Sequence, residues 1–148
     1  MNVFIFSFNV NPVSVKAADQ KIAQLNSELS TQKIIQKHCD SYRLCRKVIE
    51  DCKSAKDPKA YRTKHQAEYH LHDSLKKELQ NLGVTKIPSS DKIKKRIENL
   101  ESEQTASVRE KQGLQEKQKL LNTIQQNFNV LLDAPEMQPP LSEKENTL

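Results

Sequence analysis

From Ile35 to Cys52 the apolar and amphipathic side chains fall at Ile35, His38, Tyr42, Cys45, Ile49 and Cys52, in alternating steps of three and four. That spacing keeps one side of an α-helix apolar and makes the heptad seam of a helix that packs along a neighbour. Upstream, Ile22, Leu25 and Leu29 continue the stripe, with a one-residue slip in phase before Ile35. The pattern predicts one helix from near Ser14, just after Pro12, to about Lys53. Some 40 helical residues reach roughly 60 Å, far longer than a compact domain of this mass requires.

"SAKDPKAY" interrupts the pattern. Asp57 before Pro58 is an N-cap followed by a proline at the first helical position, where its missing N–H costs nothing. A second helix then runs to Leu82, with a seam of Tyr61, His65, Glu68 or Tyr69, His72, Leu75, Leu79 and Leu82. Gly83 follows as the left-handed closing residue. After the connector "VTKIP", Ser89 or Ser90 caps a third helix that runs to about Leu132. Its stripe is Ile93, Ile97, Leu100, Ser107 or Val108, Leu114, Leu121, Phe128 and Leu132. Gln104, Lys111, Gln118 and Gln125 share that seam, which makes the packing thin.

Two long stripes in one chain are both used only if the first and third helices pair antiparallel. The expected fold is all-α: an elongated antiparallel helical hairpin, a coiled-coil stalk, with the short remaining helix making a small head. The helical hairpin domain spans residues 14–132, with the head at about 40–100. Residues 1–13 read as a ragged or disordered N-terminus and the proline-rich residues 133–148 as a disordered tail.

Composition agrees: 35% of residues are hydrophobic, 29% are charged, and there are two glycines and no tryptophan. Sparse turns with abundant helix formers describe long helices that each bury a narrow stripe. The start, "MNVFIFSFNVNPVSV", is apolar but too short for a membrane span and lacks the basic residues that open a secretory signal. It reads as the start of a fragment, with a signal peptide as the lesser alternative. Cys39, Cys45 and Cys52 contain no CxxC pair; they read as reduced thiols serving as small apolar residues in a cytoplasmic protein. No cofactor is expected.

The chain also contains His70-Leu71-His72 within "AEYHLHDSL". A His-hydrophobe-His triplet is a metal-binding signature of nucleases that nick DNA for rolling-circle replication or conjugative transfer. Such a site needs a strand, on which alternate residues share a face. On a helix those two histidines point apart, and the surrounding residues are helix formers, so a metal site is not expected. Tyr42, Tyr61 and Tyr69 have no base or metal placed beside them by the pattern, and catalysis is not expected either.

The stretch from "IIQKHCDSYRLCRK" to "GVTKIPSSDKIKKRIENL" resembles the helical C-terminal region of bacterial relaxases, the mobilisation nucleases of integrative and conjugative elements. The matching residues are Gln36-Lys37-His38, Tyr42, Arg46, His65, Tyr69, His72, Leu82-Gly83, Lys86 and Pro88. The resemblance covers about residues 20–132 and is most specific over 36–88. It implies a non-enzymatic portion of a mobilisation protein, because the family's nicking domain, with its catalytic tyrosine and metal-binding histidines, has no counterpart in this chain.

Charge bears on partners. Residues 33–64 carry ten Lys or Arg against four acids, and residues 86–96 carry five against one; residues 97–148 reverse the balance, with five against nine. A basic head on an acidic-to-neutral stalk attracts phosphates without reading sequence. The expected DNA-contacting residues are Arg43, Arg46, Lys47, Lys92, Lys94, Lys95 and Arg96. The expected partners are DNA or proteins of the transfer machinery, with self-association through the helical seam also open and no membrane. The alternative reading is a structural coiled-coil module that binds another protein.

Overall fold

The structure, a computed structural model, describes residues 12–133. They form four helices: α1 (Pro12–Lys53), α2 (Pro58–Lys64), α3 (Gln66–Asn81) and α4 (Ser90–Asp133). The expectations for the N-terminal segment and the tail fall outside the described residues, except that Pro12, Val13 and Asp133 are helical. The chain is all-α and its two long helices pair. Their antiparallel register is fixed by cross-links along the stalk: Lys33 Nζ lies 3.0 Å from Glu101 Oε1, Gln104 donates to Asn26, and Lys111 pairs with Asp19.

The seam of α4 is buried in the order its side chains predict. Ile93, Ile97, Leu100 and Ser107 are buried, and Gln104, Lys111, Leu114, Gln118, Leu121 and Gln125 are half-buried. On α1 the buried residues include Leu25, Leu29, Ile35, Cys39, Cys45 and Cys52. His38, which continues the sequence seam, is only half-buried, while its neighbour Cys39 is fully enclosed. The phase slip has a structural cause: from Ile35 onward α1 serves two partners and needs a wider apolar face.

Those partners divide α1 between them. The pairs His38–Glu78 and Tyr42–His72 bind α3 to the distal half of α1, whereas α4 follows the proximal half. Backbones of α3 and α4 do not approach each other. Three helices therefore meet only at one junction, where Leu79 of α3 and Ile93, Ile97 and Leu100 of α4 close on Ile35 and Cys39. Tyr42, Val84 and Ile87 pack around this cluster. Beyond it, the head is α1 with α2 and α3 alone.

The segment read as a single second helix is two helices, divided at His65 (φ −106°, ψ 28°). The His65 N–H still donates to the Tyr61 carbonyl at 3.0 Å, so the break is a kink. Capping follows the local residues. The Asp57 carboxylate accepts the N–H groups of Lys59 and Ala60, each at 3.1 Å, and the Ser89 hydroxyl accepts that of Lys92 at 3.3 Å. Gly83 (φ +81°) ends α3. There the Val84 N–H returns to the Leu79 carbonyl at 2.9 Å and the Gly83 N–H to that of Gln80 at 3.0 Å, a Schellman closure with an apolar contact across it.

Two stability changes follow. An alanine at Gly83 must hold a left-handed backbone, so Gly83→Ala should lower the unfolding free energy by about 1 kcal/mol. Ser107 is buried and its hydroxyl has no partner among the described residues, so Ser107→Ala should raise stability by about 1 kcal/mol through loss of an unsatisfied polar group and better helix propensity. Urea titration followed by circular dichroism reads both, and opposite signs would refute these assignments.

Candidate nucleic-acid interface

The distal half of α1, the turn after it and α2 are rich in cations because the sequence there carries few acids. Lys53, Lys56, Lys59, Arg62 and Lys64 lie at this tip with Asp51 and Asp57, and Asp57 is committed to capping α2. The acid-rich length of α4 lies along the opposite half of α1 and does not contact α2. Lys53, Lys56, Lys59 and Lys64 are exposed and have no carboxylate partner among the described residues. Arg62 lies over the Tyr69 ring, 5.1 Å from its centroid, which steadies the guanidinium at the surface.

The seven residues expected from sequence separate into two kinds. Arg43 is half-buried; its Nη1 is 2.9 Å from Asp40 Oδ1, and its Nη2 donates to the Pro88 carbonyl, tying α1 to the connector before α4. Arg46 Nε lies 3.0 Å from Glu50 Oε1 one turn along, and Arg96 crosses the stalk to Glu28. These three arginines are partly neutralised by their neighbours. Lys47, Lys92, Lys94 and Lys95 are exposed and make no ion pair among the described residues. Lys92, Lys94 and Lys95 sit on the first turns of α4, at a shoulder where it joins α1. The cations thus form a tip and a shoulder, with internally paired arginines between them. Sequence reasoning passed over the tip lysines 53, 56, 59 and 64, although the charge count over 33–64 already included them.

The residues that attracted chemical interest have packing roles. His72 stacks on Tyr42 with ring centroids 4.6 Å apart and an interplanar angle of 24°, and its Nδ1 is 3.2 Å from Asp73 Oδ1. His70 is exposed, so the triplet's imidazoles occupy different environments. Among the described residues no group of three or more His, Cys, Asp or Glu is placed to hold a metal ion. The Tyr69 phenol is pushed up by a hydrogen bond to Cys52 and then by burial, and burial pushes up the Tyr61 phenol. Burial also raises the Cys39 and Cys45 thiols. These shifts favour the protonated forms, the reverse of what a nucleophile needs. Cys52 in turn donates to the Pro58 carbonyl at 3.5 Å, linking α1 to the start of α2.

Many residues that carry the relaxase resemblance are part of the same packing. His38 Nε2 meets Glu78 Oε2 at 3.3 Å, His65 Nδ1 meets Glu68 Oε1 at 3.3 Å, and Gly83 closes α3. Comparison with protein-family models, with curated proteins and with solved structures finds no match for this chain. Among the described residues no helix is long and apolar enough to cross a membrane.

The His65–Glu68 pair yields a pH prediction. Glu68 stands in the first turn of α3, and its carboxyl is held below the ordinary glutamate value by its own backbone N–H and then by His65. A carboxyl with a depressed folded-state pKa stabilises the fold above its unfolded value, and that contribution fades as pH falls through the folded one. Glu68→Gln should therefore flatten the loss of stability on the acid side of the glutamate range while changing little in alkali. Parallel denaturation series of the two proteins over pH check this; identical acid slopes would show that Glu68 does not contribute.

Proposed function

We propose that this chain is a non-catalytic helical module that holds nucleic-acid phosphates against a basic tip at one end of a rigid rod. The observation that carries this reading is the segregation of charge. The cation-rich tip lies where the acid-rich length of α4, from Glu98 to Glu116, does not reach, and its lysines are exposed and without carboxylate partners among the described residues. Flexible lysines on a convex surface suit phosphate contact by counterion release, not the reading of base edges, which needs an element shaped to enter a groove. The arginines best suited to bidentate recognition, Arg43, Arg46 and Arg96, are already engaged by the fold.

The resemblance over residues 36–88 supplies the biological setting of this reading: an accessory portion of a conjugative DNA-mobilisation protein, in which the rod spaces a DNA contact from the rest of the machinery. The chemistry of the tip supports DNA contact without that setting and would serve any single- or double-stranded substrate equally.

Fluorescence anisotropy with labelled single- and double-stranded oligonucleotides tests the proposal. If about four phosphates are neutralised, affinity should fall about 100-fold between 50 and 200 mM salt. The quadruple change Lys53→Gln, Lys56→Gln, Lys59→Gln, Lys64→Gln should abolish most binding. The shoulder change Lys92→Gln, Lys94→Gln, Lys95→Gln should reduce it less. Absence of binding even at low salt would overturn the proposal and leave a protein-interaction module.

A further inference from the structure

The α2–α3 kink carries a group of donors that the fold does not use. Lys59, Arg62, Thr63 and Gln66 are spaced by three, one and three positions, which sets side chains on one face of a helix. Together they line an open hollow of about 220 Å³, and all four are exposed. Two are cations, one is an amide, and no acid lines the hollow. α2 has no acidic residue, and the acids nearest in sequence are engaged elsewhere. Asp57 caps α2 through the N–H groups of Lys59 and Ala60, and Glu68 holds His65. Tyr61, whose phenol feels the charges of Asp51 and Glu68, is two positions from both Lys59 and Thr63 and so lies on a different face.

The four side chains differ in what they offer. The Thr63 hydroxyl donates to the Lys59 carbonyl at 3.0 Å, so it forms part of the wall. The Lys59 ammonium and the Gln66 side-chain amide have no partner among the described residues. Arg62, unlike Arg43, Arg46 and Arg96, has no carboxylate partner among them; the Tyr69 ring, 5.1 Å from its guanidinium, holds the cation without consuming its N–H donors. The hollow is smaller than the roughly 300 Å³ at which pockets for drug-sized ligands begin, so its size fits a single anionic group. Three separate donor side chains call for oxygens directed in more than one plane, which a phosphate has and a planar carboxylate has not. Residues 1–11 and 134–148 start from the other end of the stalk. α1 puts that end 42 residues, about 63 Å, from the tip, whereas 11 and 15 extended residues span at most about 40 and 54 Å.

We propose that Lys59, Arg62 and Gln66 at the α2–α3 kink form a seat for one phosphate group, with the Arg62 fork as its fixed donor. The inference rests on the reading of the tip as a surface for phosphates and deepens it: one phosphate takes a set position, and its neighbours are held by charge alone. The seat has the same chemistry for a phosphate on a nucleic-acid strand and for a free one.

Oligonucleotide anisotropy at fixed salt separates the seat from surface charge. Arg62→Lys keeps the charge and removes the fork, so affinity should fall about tenfold with an unchanged salt dependence. Gln66→Ala alters no charge and should lower affinity about fivefold. Lys56→Arg, outside the hollow, should change nothing, and circular dichroism should be the same for all three. In a second arm the full chain is titrated with inorganic phosphate against sodium chloride of matched ionic strength. The NMR signals of the Arg62 Nε–H and the Gln66 side-chain amide should shift saturably, while the backbone amides of α4 stay in place. Oligonucleotide binding that is lost in the quadruple lysine variant but unchanged by Arg62→Lys and Gln66→Ala would keep the charged tip and overturn the seat. Phosphate shifts at Arg62 and Gln66 without oligonucleotide binding would support the seat, for a free phosphate compound, and overturn the nucleic-acid reading. Shifts spread evenly over the exposed basic residues would overturn the seat. Neither shifts nor binding would overturn both.

Discussion

The enclosure of Cys39 between the end of α3 and the beginning of α4 is the contact on which the rest of the molecule depends. Cys39, Leu79 and Leu100 are the most completely buried large or apolar side chains, and they come from three different helices. Burial of Leu79 or Leu100 is worth about 2–3 kcal/mol each by transfer, more than any ion pair on the surface supplies. A thiol at this position is small enough to let both neighbouring helices close on α1. With the junction formed, α1 is a single spine held distally by α3 and proximally by α4. Without it, each helix pair has only a two-helix seam, and such pairs are thin.

This division of labour explains why the two halves differ in character. Distally, α1 is held by aromatic and sulfur contacts: Tyr42 on His72, Tyr69 on Cys52, and Cys52 on Pro58. Proximally, the apolar layers alternate with Gln104, Ser107, Lys111 and Gln118, and polar cross-links such as Gln104–Asn26 and Lys33–Glu101 maintain register. Exposed polar pairs of this kind contribute at most about 1 kcal/mol each. The stalk is therefore the part of the rod that opens first, and the junction and head are the part that persists.

The elements were legible in the sequence because each has a local cause. The Asp57–Pro58 start, the Gly83 stop and the Ser89 cap depend on residues within a few positions, and all three appear with the expected hydrogen bonds. The heptad stripe of α4 was legible for the same reason. Register was not, because a heptad fits its partner equally well after any shift of seven residues. The offset of α4 along α1 could not be read from periodicity. The choice of Cys39 over His38 was hidden too: a single seam has one best phase, while a helix serving two partners at different angles needs a face wider than any one phase describes. His65 illustrates a third limit, since the apolar spacing runs through it unbroken while the backbone turns.

The same limit governed the charged residues. Counting Lys and Arg along the chain locates the excess but does not say which cations are already answered. Arg43 reaches the Pro88 carbonyl and Arg96 reaches Glu28, partners 45 and 68 residues away in sequence. Lys59 and Lys64, on a helix with no acid of its own, have nothing comparable near them. Ion pairing across the fold thus sorts arginines into joints and leaves lysines at the tip, and that sorting determines what the surface can bind. Joint arginines hold positions fixed, while the unpaired lysines keep their charge at the surface. The unpaired lysines of the tip and the cross-linked stalk are thereby set apart along the length of α1.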